Sequence, residues 1–171
     1  LDINVKELSD DYAILYQNFE YNIYQGLLQS LEKIKKYQQT NLVLSSKSFQ
    51  YTPDGIIHGF TKFCTENDLV FDIIPDLDDD YDLQVHQAYI VFREYDLIKM
   101  INWTTKNKLK VGKDIGIISY DDTPLKEIIA EGISVISNDF KKMGERAAEM
   151  ILNHEKGRES NDFYFIDRGS L

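Results

Sequence analysis

Five short runs along the chain are apolar almost throughout: "YAILYQ" (12–17), "NLVLSS" (41–46), "LVFDII" (69–74), "QAYIVF" (87–92) and "IGIISY" (115–120). None alternates strictly between apolar and polar, so each reads as a strand buried on both faces, the habit of a parallel sheet. Between the first two runs, Phe19, Ile23, Leu27, Leu31 and Ile34 recur every three or four residues. That spacing puts them on one face of a helix with Asn18 as its N-cap. A second helix opens at Thr52 and Pro53, where proline's missing N–H costs nothing, and buries Ile56, Ile57, Phe60, Phe63 and Cys64. A third, over 94–107, turns Leu97, Ile98 and Ile101 inward. Strand, helix and strand in repeated order predict an α/β fold with a doubly wound, mostly parallel, Rossmann-like sheet, because parallel neighbours need a crossover and the crossover is usually helical.

One connection breaks the rhythm. "PDLDDDYDLQVH" (75–86) joins two strands in too few residues for a full helix and is crowded with aspartate. After the fifth run the pattern predicts a short helix over 124–130 ended at Gly132 and a strand "ISVIS" (133–137). A helix capped by Asn138 follows, carrying Phe140, Met143, Ala147, Met150 and Ile151, and then a last strand near "FYFI" (163–166). "NHEKGRESND" (153–162) reads as a solvated loop.

Composition narrows the function more than the fold. With 171 residues, 43% of them hydrophobic, the chain has the apolar content of one globular domain with a real core. A net charge of -10 makes it repel a nucleic-acid backbone, so these residues are not expected to bind DNA directly. The single cysteine, Cys64, excludes an internal disulfide and suits a reducing, cytoplasmic setting. No apolar stretch is long enough to span a membrane, and residues 1–11 are too charged for a signal peptide. The chain begins at Leu1, so an upstream segment is expected.

The candidate chemistry centres on "ISYDDT" (118–123), where an apolar strand stops at Asp121 and Asp122. Ligands of open parallel sheets bind outside the carboxyl ends of the strands, which is where this pair falls. Asp122 or Thr123 also suits the N-cap of the next helix. Mg²⁺-dependent phosphotransfer would require two carboxylates with one residue between them, then a lysine and further acids at later strand ends, and here the pair is adjacent. Asp76, Asp78, Asp80 and Asp82 begin like a calcium loop, but Tyr81 replaces the glycine of the turn and Gln87 the closing glutamate. His58, His86 and His154 lack the spacing of a zinc site, and no glycine-rich phosphate loop or serine elbow occurs. No metal, no cofactor and no catalytic constellation is expected.

Longer motifs carry a more specific signal. "LKVGKDIGIISYDDTP" (109–124), "ISVISNDFKKMGERAAEMIL" (133–152) and "FIDRGSL" (165–171), with looser matches in "YQNFEYNIYQGLLQSL" (16–31) and "IIHGFTKFC" (56–64), resemble the effector-binding domain of the LacI/GalR family of bacterial transcription regulators. That domain shares the fold of type I periplasmic sugar-binding proteins. The resemblance implies that Asp121 hydrogen-bonds sugar hydroxyls and that Arg93, ending the neighbouring strand, joins it. A carboxylate accepts hydroxyl hydrogens and a guanidinium donates in a fixed fork. Tyr81 is the aromatic expected to cover an apolar sugar face, and Ser46, closing the second strand, completes the ligand-binding set. In an empty site Arg93 is expected to pair with Asp121 or Asp122. The chain departs from the family at Ile56, where an arginine is usual, and at the acidic loop, where a helix is usual.

The resemblance also implies a division of the chain. Residues 1–11 would lead in from an amino-terminal subdomain, 12–131 and 157–171 would form the carboxyl-terminal ligand-binding subdomain, and 132–156 would be a strand and helix of the amino-terminal one. Phe140, Met143 and Ile151 would then need another apolar partner, a second chain among the candidates. The implied function is that of a cytoplasmic ligand sensor, not an enzyme, in a homodimeric regulator. Its effector would be a small polar molecule, a sugar or derivative, and DNA would be met only through a preceding head of helix-turn-helix or winged-helix (GntR) type. The solute-binding protein of a sugar transporter is the alternative.

Overall fold

The protein is described by a computed structural model covering residues 1–4, 8–9, 11–44, 52–77 and 81–171. In chain order the elements are β1 (Ala13–Tyr16), α1 (Phe19–Gln29), α2 (Leu31–Ile34), β2 (Gln39–Val43), α3 (Asp54–Glu66), β3 (Phe71–Ile74), β4 (Gln87–Val91) and α4 (Glu94–Lys106). There follow β5 (Gly116–Tyr120), α5 (Pro124–Ile128), a 3-10 turn (Ile129–Glu131), β6 (Ser134–Asn138), α6 (Phe140–Leu152), β7 (Gly157–Ser160) and β8 (Phe163–Ile166).

Two sheets form. The larger has the order β3-β2-β4-β5-β6-β8 and is parallel except for β8, which runs antiparallel to β6. The doubly wound α/β sheet expected from the periodicity is therefore present. Successive residues of β4 divide between its faces: Ala88 and Ile90 join Ile23 and Leu27 of α1 and Phe60 and Phe63 of α3, while Tyr89 and Val91 join Leu97 and Met100 of α4. The smaller sheet is the parallel pair β1–β7, and α6 covers it by setting Met143 and Met150 on Leu15.

Here the expected division of the chain is corrected. The strand at 134–138 does not stand apart but lies inside the large sheet between β5 and β8, with every residue buried. Strand β1, expected in the large sheet, instead pairs with β7. The sequence pattern does not show this pairing, because β7 reads "GRES", a polar edge strand with no apolar signature inside a stretch whose polarity predicts a solvated loop. Of the α6 stripe, Met143 is buried, whereas Phe140 and Ile151 are exposed.

Helix ends follow local chemistry. Asn18 caps α1 as expected, its side chain accepting from the Tyr21 N–H. Asp139, not Asn138, caps α6 and accepts from the Lys142 N–H, and α3 begins at Asp54, after Pro53 at the cap position. The two helices on one face touch closely at Gly59, where an added Cβ would lie 2.4 Å from the Glu20 carbonyl oxygen of α1. Because that neighbour is backbone and cannot rotate away, Gly59→Ala should force the helices apart and cost about 1–3 kcal/mol. Urea unfolding of the variant tests this; an unchanged midpoint would mean that the helix pair tolerates the shift.

Candidate ligand site at the carboxyl edge of the sheet

Strands β2, β4 and β5 are parallel neighbours, so the residues just beyond them emerge along one edge: Leu44, then Phe92 and Arg93, then Asp121 and Asp122. The chain leaves β5 through a left-handed residue, Asp121 at φ 57°, which aspartate tolerates better than most side chains. Two contacts hold this turn. The Asp121 N–H donates to the Ile136 carbonyl at 2.8 Å. The ammonium of Lys126, only 2% exposed, donates to the carbonyl oxygens of Tyr120 at 2.9 Å and Asp121 at 2.6 Å.

The two aspartates have separate fates. Asp122 receives both arms of the Arg168 guanidinium at 2.8 Å, and its own N–H donates to Ser137 Oγ. It caps no helix. The cap position of α5 belongs to Thr123, whose side chain makes no capping bond and donates instead to Glu94 at 3.2 Å. Asp121 Oδ1 is buried with no hydrogen-bond partner among the described residues. Burial pushes its carboxyl above the ordinary value of 3.8, with Lys126 and Asn138 pulling the other way.

Beside Asp121 lies a chain of buried amides. Asn22 of α1 donates to Asn138 Oδ1 at 3.0 Å, the Asn138 amide donates to Gln17, and the Gln17 amide donates to Asp2. The Tyr120 hydroxyl reaches this cluster without a hydrogen-bond partner among the described residues, and burial raises its pKa first, then the nearby Asp121 carboxylate. These amides mark the passages between the two sheets. The three connections read "QNF" (17–19), "NDF" (138–140) and "NDF" (161–163), each with a buried amide first and a phenylalanine opening the next element. Asn161 closes the set, its N–H donating to the Tyr16 carbonyl at 2.7 Å and its amide to the Asp139 carbonyl at 3.2 Å. The recurrence was visible in the sequence as a threefold tripeptide pattern, but only the structure assigns it to one junction.

The other expected site residues are dispersed. Arg93 does not pair with Asp121 or Asp122: its guanidinium donates to Asp96 at 2.7 and 2.8 Å and lies 3.6 Å from Asp76. The cause is local, since Asp96 sits three residues on in the first turn of α4, within reach of the cap residue. Tyr81 packs into the core on the α4 side, where burial and then Asp72 and Asp82 raise its hydroxyl pKa. Ile56, in the place of the family arginine, is buried against α1. Ser46 lies outside the described residues, as do Asp78 and Asp80 of the acidic run. Among the described residues no group of acidic, histidine or cysteine side chains could hold a metal ion. Two features carry no signal in the sequence pattern: buried Lys126, and the stack of Phe92 on Tyr120 at 4.8 Å and 23°.

Two stability measurements follow from this arrangement. A carboxyl raised by burial binds its proton more tightly in the folded state, so stability is lost as pH rises from 3.8 toward the folded value. Asp121→Asn keeps the left-handed preference and removes the charge. It should melt higher than wild type near neutral pH, with the gap closing below pH 3.8. Arg168→Met should cost about 3 kcal/mol by stranding Asp122, which is 16% exposed at its side chain. In a cycle with Asp122→Asn the double variant should lose less than the sum by at least about 1 kcal/mol, and strict additivity would dissolve the pair.

The comparisons with known proteins agree with this fold. The model of the periplasmic binding protein-like domain matches residues 35–169. A structure of the lac repressor bound to ONPG is similar at 18% identity and a TM-score of 0.68, over 92% of this chain and 52% of that one. A putative LacI-family repressor from Corynebacterium glutamicum gives 17% and 0.67, over 92% and 66%. A periplasmic binding protein/LacI transcriptional regulator from Alkaliphilus metalliredigens QYMF, complexed with D-xylulofuranose, gives 15% and 0.72, over 95% and 66%. No curated protein sequence matches. The chain spans about half the length of that lac repressor structure, whose fold it shares. With the match covering most of its length, the chain belongs to the periplasmic binding protein-like domain family.

Proposed function

We propose that this chain is the ligand-sensing part of a bacterial transcription regulator whose effector is a small sugar or sugar derivative. The observation that carries the reading is Asp121: a buried carboxylate oxygen without a partner among the described residues, at the carboxyl edge of a parallel sheet. Such an oxygen accepts hydroxyl hydrogens, and the cost of burying it is recovered when a ligand supplies them. Support comes from the shared fold, since one similar structure is a lac repressor bound to ONPG and another is complexed with D-xylulofuranose. Arg93 emerges at the same edge with more N–H groups than Asp96 can accept, and would add donors.

In this reading the large sheet with α1 to α5 is the carboxyl-terminal half of a two-lobed domain. The unit of β1, β7 and α6 belongs to an amino-terminal half that continues upstream, together with a DNA-binding head. Ligand held at Asp121 would favour one angle between the lobes, and the amide junction beside it would carry that preference to the second lobe. In a dimer the change would alter the spacing of the DNA-binding heads. The alternative, a solute-binding protein of a sugar transporter, draws on the family description itself. A helix-turn-helix or winged helix upstream of Leu1 favours regulation, and a signal peptide there favours transport.

The test is a thermal-shift screen of the natural full-length chain against neutral pentoses and hexoses. A sugar present at about 100 times its Kd should stabilise the folded state by roughly 2.7 kcal/mol. Asp121→Ala should abolish the shift and Arg93→Ala should weaken it. A shift that survives Asp121→Ala would remove this carboxylate from the site.

A further inference from the structure

Resting on the sugar reading above, we propose that Phe92 is the platform on which an apolar face of an uncharged sugar lies, a place expected of Tyr81 from the sequence. Tyr81 is packed on the α4 side of the sheet with Tyr89 and Leu83, in a different core from Tyr120. Phe92, the first residue beyond β4, is half-buried at the carboxyl edge, and its strand is the parallel neighbour of β5, which ends at Tyr120. The aromatic pairs Tyr21–Phe163, Tyr24–Phe63 and Phe60–Phe71 meet edge to face, whereas Phe92 lies flat on Tyr120 at 4.8 Å.

Tyr120 is a fixed support. Its ring is buried in the core with Ile118 and Ile136, and its hydroxyl end sits among Asn22 and Asn138. A ring laid on that support loses little freedom when a ligand arrives, so the contact is pre-organised. The residue after Tyr120 is Asp121, with its unpartnered carboxylate oxygen. A flat aromatic beside a hydroxyl acceptor matches a sugar ring, which presents C–H bonds on its faces and hydroxyls around its rim.

Among the described residues, the charge at this edge favours an uncharged ligand. Among the described residues, the Arg93 guanidinium is paired with Asp96 and Asp76, Arg168 with Asp122 and Glu127, and Lys126 is given to two backbone carbonyls. A sugar phosphate would meet the Asp121 carboxylate with the charges of Arg93 and Arg168 already balanced by carboxylates, though their remaining N–H groups can still donate to hydroxyls.

The experiment titrates the natural full-length chain with neutral pentoses and hexoses and with their phosphates. For the sugar that binds, Phe92→Leu should weaken affinity about tenfold while Phe92→Trp retains it. In wild type, C–H resonances of the bound sugar should move upfield under the ring current of Phe92, a signature that needs no variant to fold. Binding of equal strength to Phe92→Leu, or bound-sugar C–H resonances without an upfield shift, overturns the platform and leaves the sugar reading standing. Tighter binding of a phosphate ester overturns the uncharged ligand. No binding by any neutral sugar overturns the sugar reading and the platform together.

Discussion

Tyr89 and Ile90, adjacent in β4, are both fully buried, one against each helical layer. A strand covered on both faces can meet its neighbours only through crossovers that pass over the sheet, and crossovers of one hand make the strands parallel. Parallel strands all end at one edge. That single constraint brings Phe92, Arg93, Asp121 and Asp122 together although up to 30 positions of sequence separate them. It also explains the closeness of α1 and α3 at Gly59, since both must reach the same row of side chains on β2, β4 and β5.

At that edge the polar groups divide into settled and unsettled ones. Arg168 pairs with Asp122 and Glu127, and Arg93 is engaged by Asp96 and Asp76. Lys126 donates to the strand-end carbonyls, an unusual fate for a buried ammonium, and so stabilises a left-handed turn. Among the described residues, the Asp121 oxygen, like the Tyr120 hydroxyl beside it, is held in place but not satisfied. Stability withheld at one well-supported atom is what a binding site requires, because a fully satisfied carboxylate has nothing to offer a ligand.

The junction between the sheets shows the opposite policy. Gln17, Asn138 and Asn161 are buried amides in the three connections, and amides can serve such places because each supplies both donors and an acceptor. Through Asn138 the network joins α1 of the large body to the end of β1 in the small one, beside Asp121. The bond chain is directional and short, so a change of hydrogen bonding at the carboxylate and a change of angle between the bodies are mechanically close.

The periodicity of the chain was enough to read the α/β class, the helices near 19–29, 54–66, 94–106 and 140–152, and the parallel sheet, because two-sided burial leaves continuous apolar runs. The Asp121–Asp122 strand end was legible for the same reason. Three things were not. Strand β7 carries no apolar pattern, so its pairing with β1 depends on backbone hydrogen bonds that composition does not record. Arg93 was expected beside the aspartates, but a carboxylate three residues away in its own helix wins over one on a neighbouring strand. The stack of Phe92 on Tyr120 at the strand end was not legible either, because side-chain alternation turns Phe92 toward Tyr120 only once the register of β4 and β5 is set. Local sequence thus determined which segments are strands and helices, through burial pattern and capping. Only the tertiary structure decided which charges cancel, since that depends on distances between residues the chain brings together last.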